Sequence, residues 1–484
     1  VMGNSMRLKL QPLEIDSANA FAGDKLDRHQ FVEPLNALLK TAEDSLVLAV
    51  EAPWGWGKTT FLKMWIGELK RSNAPVIYFN AWENDFTGTP LVSLLAELNS
   101  GLKELLPDSK GMQAVETLKN AGAKFLKHAI PVALKLGTSG LIDLQGGTSD
   151  AVKDGFSSVS EGVASEFVNT YSVAKSSLAD FKDKLAVVAS ELAVDKIDSF
   201  PLTIFIDELD RCRPDYALEM LEAVKHLFDV PGVNFVLAMN REQIEQSVEA
   251  VYGSRINASE YLRRFIDLSF YLPEPDTKAF VPFVLEQLGI SEDLKQRSND
   301  GGRFKGGQPS EIAEILVSLF TLFSLSLRTQ EQVLSQLSLV LRMTPHSKEV
   351  FPDLLAIMLT LHALDRKLYR RFATGEAPGA DVVEWIGSDP KRRSFLESGQ
   401  GIRIEGWLLM TDGRRNSDPV ATYRTIAESG DASNDEHDHA ITLVKYCDWI
   451  KNEVLLGGDF RRVMEFLARR IDLLENIAPN LNQE

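Results

Sequence analysis

The sequence predicts an α/β fold: a parallel sheet with helices on its faces, followed by an almost wholly helical C-terminal part. Three observations predict it. Short, largely apolar runs recur at 46–50, 76–80, 202–206 and 233–239, the first unbroken, as expected of strands buried on both faces. Amphipathic stretches with helical spacing follow these runs. From residue 276 onward the strand pattern stops.

At 484 residues the chain is too long for one ordinary core, so two or three domains are expected. Apolar residues at 44% and charged residues at 25% describe a globular protein. The net charge of −17 counts against a surface that wraps nucleic acid, although a local basic patch is compatible with it. Two cysteines, Cys212 and Cys447, give no disulfide framework and suit a reducing cytoplasm. No signal peptide is expected, and VMGNS before Met6 reads as an expression remnant outside the fold.

Residues 21–40 put Leu26, Phe31, Leu35, Leu38 and Leu39 on one helical face. That helix either lies across a ligand bound at the next strand or covers the sheet edge. The central stretch is SLVLAVEAPWGWGKTTF, 45–61. A buried strand runs into Ala52-Pro53-Trp54-Gly55-Trp56-Gly57, then Lys58, Thr59 and Thr60 open a helix with Phe61, Leu62 and Trp65 on one face. Strand, Gly-rich loop, Lys-Thr and helix form a phosphate cradle. Backbone N–H groups close around phosphate oxygens and the helix N-terminus adds partial positive charge. Lys58 is expected on the β- and γ-phosphates and the Thr59 hydroxyl on Mg²⁺. Ala52 stands where the pattern has its first glycine, and Pro53 has no N–H to offer.

The second strand, VIYFN (76–80), follows an Asn73-Ala74-Pro75 turn and delivers the polar cluster around Trp82, Glu83 and Asn84 to the edge where such folds gather ligands. An apolar helix follows near Leu91 to Leu98. Residues 101–195 interrupt the sheet and read as an inserted helical subdomain. Their most apolar part, 125–144, carries Lys127, His128, Lys135 and Asp143 and is broken by Pro131 and Gly137, so it lacks what a spanning helix needs. An interfacial or partner-binding role for it is the alternative. Residues 145–170 read as a flexible connection, and a long helix then runs through Leu178, Phe181, Leu185, Val188 and Leu192.

The third strand, LTIFI (202–206), ends in Asp207-Glu208-Leu209-Asp210-Arg211. Asp207 would order Mg²⁺, and Glu208 would polarise the attacking water as general base. Asp210 is the reserve base, or a partner for Arg211. The helix 214–228 carries Leu218, Leu221, Val224 and Phe228. The fourth strand ends at Asn240, which either contacts the γ-phosphate or caps the next helix. NREQ there is not the NKxD guanine reader, so ATP is the preferred nucleotide. YLRRFIDLSFYL (261–272) reads as a helix end and then a fifth strand. Arg263 or Arg264 could reach a neighbouring subunit's γ-phosphate, or be solvated arginines. Pro273 and Pro275 close the sheet part. Beyond it lie the Gly-rich loop 298–310, a helix opened by Arg328, and helical runs over 351–484 with an acidic loop at 431–439. That loop offers Asp435, His437, Asp438 and His439, more in keeping with solvation than with a metal.

With both phosphate motifs in hand, the chain resembles the KAP family of P-loop NTPases. The resemblance rests on AVEAPWGWGKTTFL (49–62), YFNAW (78–82), IDELDRCRPDYALEMLEAVKHLF (206–228), NFVLAMNREQI (234–244) and YLRRFIDLSFYLPEP (261–275). It implies a P-loop fold of the additional-strand type, similar to AAA+ and STAND ATPases. It also implies a core over 1–100 and 196–275, an insertion over 101–195, a helical lid over 276–350 and a helical C-terminal domain over 351–484. Arg328 would contact nucleotide from the lid, or be a structural arginine near a helix start. Many members carry membrane helices in the insertion; here that segment is too polar to span. Bacterial members are implicated in phage exclusion and antiviral defence, often beside a separate effector.

The expected activity is therefore that of an Mg²⁺-dependent ATPase switch in the cytoplasm, with peripheral contact at the inner membrane left open. It would act as a homo-oligomer, through a separate effector, or both. The alternatives are a nucleotide-stabilised scaffold with negligible turnover and, less favoured, a nucleic-acid remodeller.

Overall fold

The apolar runs become strands, and their register decides everything downstream. The computed structural model describes residues 10, 15–16, 18–42, 44–136, 161–193, 200–227, 229–299, 309–346, 351–412, 418–428, 434–454 and 460–477. The chain divides into two compact units, 13–274 and 275–484.

In the first unit, α1 (Val32–Thr41) precedes β1 (Val47–Glu51), which leads into α2 (Lys58–Arg71) and β2 (Val76–Asn80). The short α3 (Ala81–Asn84), then α4 (Pro90–Leu105), α5 (Ser109–Leu136) and α6 (Glu161–Ala193) separate β2 from β3 (Leu202–Asp207). The unit closes with α7 (Pro214–Leu227), β4 (Val233–Met239), α8 (Arg241–Tyr252), α9 (Ala258–Leu262) and β5 (Leu268–Tyr271). Among the described residues the five strands form one parallel sheet in the order β2-β3-β4-β1-β5. β4 is the additional strand, lying between the strand of the Lys-Thr loop and the strand of the carboxylates.

Alternation along each strand feeds two cores. Leu48, Val50, Phe205 and Val236 pack with Phe61, Leu62 and Trp65 of α2 and with α1. Trp65 is fully buried, meets Phe205 edge-on at 5.1 Å and donates its indole N–H to Asn36 at 2.7 Å. Ala49, Ile204, Ile206 and Leu237 face the other way, onto α4, α7 and α8. The edge strand β5 is largely exposed.

The insertion is helical, with α5 and α6 packed on one another. Residues 161–170, expected as a loose connection, instead form the start of α6, since the hydrophobic positions of that helix continue N-terminally past the polar residues. Residues 137–144 of the apolar stretch, 145–160, Phe228 and most of the 298–310 loop lie outside the described residues. No helix among the described residues is long and apolar enough to cross a membrane.

In the second unit Arg328 lies in the first turn of the helix Leu327–Arg342, whose cap is the Ser326 hydroxyl. Pro352–Leu364 packs against Pro309–Leu322 and Leu327–Arg342 and buries Asp353, which accepts from Arg403 Nη2 at 2.8 Å and Trp407 Nε1 at 3.1 Å. Residues 434–439, expected within a loop, begin the helix Asn434–Trp449. His439 there faces Glu405, and no cluster of metal-binding side chains forms among the described residues.

Candidate nucleotide-phosphate site

Parallel register sets the site. Glu51 pairs with Met239 and Tyr271, and Asn80 with Asp207, so the C-terminal ends of the strands come out on one edge. That is the edge where open α/β sheets hold their ligands.

The loop 52–57 leaves β1 there and turns into α2, whose first residue is Lys58. Gly55 and Gly57 take φ values of 78° and 81°, left-handed backbone that favours glycine. Ala52 has no positive φ, and its N–H donates to the Met239 carbonyl at 3.2 Å. A methyl group there is free of backbone strain, so the first glycine of the usual pattern is dispensable. Pro53 and Trp54 are exposed, Trp56 is half-buried, and Thr60 is exposed on the first turn of α2.

Lys58 is buried and well connected. Its ammonium donates to the carbonyls of Ala52 at 2.6 Å and Pro53 at 3.3 Å, and lies 3.4 Å from Asp210 Oδ2. Burial pushes its pKa down, while the Asp210 carboxylate pulls it back up. The Thr59 hydroxyl lies beside the Asp207 carboxylate, bringing the helix start to the end of β3. Asp207 also accepts from Tyr78 Oη at 3.0 Å and from the Glu208 N–H at 2.9 Å. Burial holds its pKa above the usual carboxylate value despite these donors. The hydroxyl and carboxylate are hard oxygen donors, suited to Mg²⁺ with waters and phosphate completing its shell.

Glu208 sits at φ 59°, a left-handed conformation that costs a non-glycine residue about 1–3 kcal/mol. Its carboxylate is paired with Arg211 at 2.8 Å and receives a long contact of 3.5 Å from Asn80 Nδ2. Burial raises its pKa, with Arg211 opposing. Arg211, one of the two alternatives for Asp210, belongs to Glu208 instead, and it rests over the Trp82 ring at 5.7 Å.

Asp210 does something else. Its Oδ2 accepts from Trp54 Nε1 at 2.9 Å and from the Asn240 N–H at 2.6 Å, besides meeting Lys58. One buried oxygen therefore ties the loop tip, its lysine and the end of β4. Asn240 caps α8 through its side-chain oxygen, which accepts from the Glu242 N–H at 3.2 Å.

The two arginines before β5 are not brought to this edge. The Asp267 N–H bonds the Val47 carbonyl, so residues before it lie at the opposite end of β1, about 13 Å away at roughly 3.3 Å per residue. Arg263 pairs with Glu260 at 3.3 Å, and the Arg264 guanidinium lies over the Tyr261 ring. Arg328 belongs to the other unit.

Sequence reasoning missed Tyr78, Asn80 and Arg28 as site residues. The buried Arg28 donates from Nη2 to the Trp56 carbonyl at 2.6 Å and from Nη1 to the Gly57 carbonyl at 3.1 Å. A polar residue ending an apolar strand was the available signal for Asn80; nothing local marked Arg28.

Comparison with known proteins gives one family, the KAP family P-loop domain, matched over residues 28–344. The "Phage T7 exclusion protein" of Escherichia coli (strain K12) is 22% identical over 378 residues, covering 75% of this chain and 46% of the relative. The chain thus spans about half the length of the curated relative it matches. Among solved structures, the ORC2 protein of Aeropyrum pernix (ADPNP–ADP complexes) aligns over 97% of this chain and 96% of that one, with TM-score 0.32 and 10% identity.

Proposed function

The chain belongs to the KAP family of P-loop NTPases, and we propose that it is an Mg²⁺-dependent ATPase whose nucleotide cycle switches conformation or assembly. The observation that carries this is the meeting of Thr59 with Asp207, beside Lys58 and Glu208, across three neighbouring strands. Lys58 would leave Asp210 and the loop carbonyls for the β- and γ-phosphates, while N–H groups of the loop and of the α2 start cradle the same oxygens. Thr59 and Asp207 would hold Mg²⁺, which when bound neutralises charge on the phosphate oxygens. Glu208 would accept a proton from the attacking water. As that water's oxygen bonds the γ-phosphorus, the bond to the bridging oxygen breaks, leaving ADP and inorganic phosphate. Asn240, at the end of β4, and Arg328, from the helices after Pro275, would respond to the γ-phosphate, and Arg264 would do so from a neighbouring subunit.

The biological setting we infer is exclusion of phage, supported by the name of the matched relative. A homo-oligomer, a separate effector, or both would carry the output. Two buried free cysteines suit a reducing cytoplasm. The domain division that goes with this reading keeps 101–195 as an insertion in the core, 276–350 as the lid and 351–484 as the C-terminal domain.

A second reading has its own support: the Glu208 carboxylate is engaged by Arg211, and Lys58 by Asp210. A protein built this way could bind nucleotide as a scaffold with negligible turnover. Phosphate release by the full chain with ATP and Mg²⁺ separates the two. Multiple turnovers support the ATPase; tight ATP binding with release no faster than in buffer selects the scaffold.

A further inference from the structure

Arg28 lies outside both phosphate motifs, yet it is 4% exposed and reaches the phosphate loop from behind. Its delivery is elaborate for a residue so far from β1. Asp24 accepts from three backbone N–H groups, those of Leu26 at 3.0 Å, Arg28 at 2.6 Å and His29 at 3.0 Å. Asp27 adopts φ 51°, and the chain then enters the short helix His29–Phe31 that leads to α1. Burial pushes the Arg28 guanidinium down to about 10, partly offset by Asp24. A fold that strains its backbone and buries a cation here gains something from the contact.

The gain follows from peptide geometry. A trans peptide is planar, so the carbonyl of one residue and the N–H of the next point in opposite directions. Arg28 holds the Trp56 and Gly57 carbonyls, and thereby fixes the planes that carry the Gly57 and Lys58 N–H groups. These donors open α2, where an anion is favoured. The Gly57 carbonyl is also bonded by the Phe61 N–H at 3.0 Å, so its plane is partly set by the helix itself. The Trp56 plane sits between Gly55 and Gly57, both left-handed, where backbone rotation is easiest.

We propose that Arg28 is a positioning residue for the β-phosphate of a bound nucleoside di- or triphosphate: by clamping two loop carbonyls it aims the Gly57 and Lys58 N–H groups at that phosphate. This rests on the nucleotide reading above. Arg28 touches no reacting atom, so it sets affinity and leaves the chemical step alone.

The test uses the full chain, with ADP and ATP affinities measured by calorimetry for wild type, Arg28→Lys and Arg28→Gln, and melting recorded without nucleotide. Arg28→Lys keeps the charge and one donor and weakens ADP and ATP equally, by about ten-fold; Arg28→Gln weakens both by on the order of a hundred-fold. KM for ATP rises accordingly while kcat at saturation stays within about two-fold. Variants that melt lower but bind ADP and ATP like wild type overturn the proposal, because Arg28 then only stabilises the fold. A wild-type chain that binds neither nucleotide overturns the nucleotide reading and this inference with it. Asp24→Asn keeps the guanidinium but loosens its delivery and lowers both affinities about three-fold. Should both Arg28 variants fail to fold, unchanged affinity in Asp24→Asn overturns the proposal.

Discussion

Two acids three residues or fewer apart in the chain have different work, and burial with hydrogen bonding separates them. Asp210 has one oxygen shared by the Trp54 indole, the Asn240 N–H and Lys58, and its side chain is 2% exposed. It has little freedom to reach a water. Glu208 is half-buried, held in a left-handed conformation, and bound only through side chains that can swing. Strain retained at such a position is consistent with function. We therefore expect Glu208→Gln to bind ATP as wild type does while turnover falls by about 10²–10⁴-fold. Asp210→Asn acts on the fold instead: it strips Lys58 of its charged partner and costs on the order of 2 kcal/mol, read as a lower melting midpoint without nucleotide. Equal turnover in Glu208→Gln and wild type moves the base elsewhere.

At the level of elements, β1 to β4 were readable because a strand buried on both faces has to be apolar throughout. The Lys-Thr loop and the acids after β3 were readable because their spacing is local. Asn80 beside Glu208, Arg28 beneath Trp56, and Asp210 against Asn240 were not, since each depends on register or on a chain reversal that periodicity does not encode. The same limit hid a polar cluster around the buried Glu405 in the second unit. Helix Gly399–Met410 supplies Glu405, Ala421–Glu428 supplies Tyr423, and Asn434–Trp449 supplies His439. Glu405 accepts from Tyr423 at 2.6 Å and meets His439 Nε2 at 3.0 Å. The hydrogen bond to Glu405 raises the His439 pKa against the opposing effect of burial, with the charges of Glu405 and Glu397 adding to it. A raised folded-state value means the stabilisation is complete below the unfolded value of about 6.5 and is lost as pH climbs through the folded value. The melting midpoint of the second unit should fall as pH rises from below about 6.5 through the raised folded value, and fall less in His439→Gln. Identical slopes would show that the pair contributes nothing.

On the scale of the whole molecule, Arg264 sits at the end of the sheet opposite the phosphate edge. It can serve catalysis only on another copy of the chain, so assembly and turnover should be linked. Arg264→Ala lowers turnover by about 10³-fold or more without changing ATP affinity, as loss of an arginine supplied in trans does. Mixing that variant with Glu208→Gln restores activity, because each copy supplies what the other lacks. No recovery in the mixture, with both variants folded and binding ATP, assigns Arg264 to the surface alone. The central claim is nearer to hand, and equilibrium binding of ATP to wild type and Lys58→Ala, with and without Mg²⁺, tests it most directly. The account predicts binding that Mg²⁺ strengthens in wild type and that drops by at least about a hundred-fold in Lys58→Ala; equal affinity in the two proteins would contradict it.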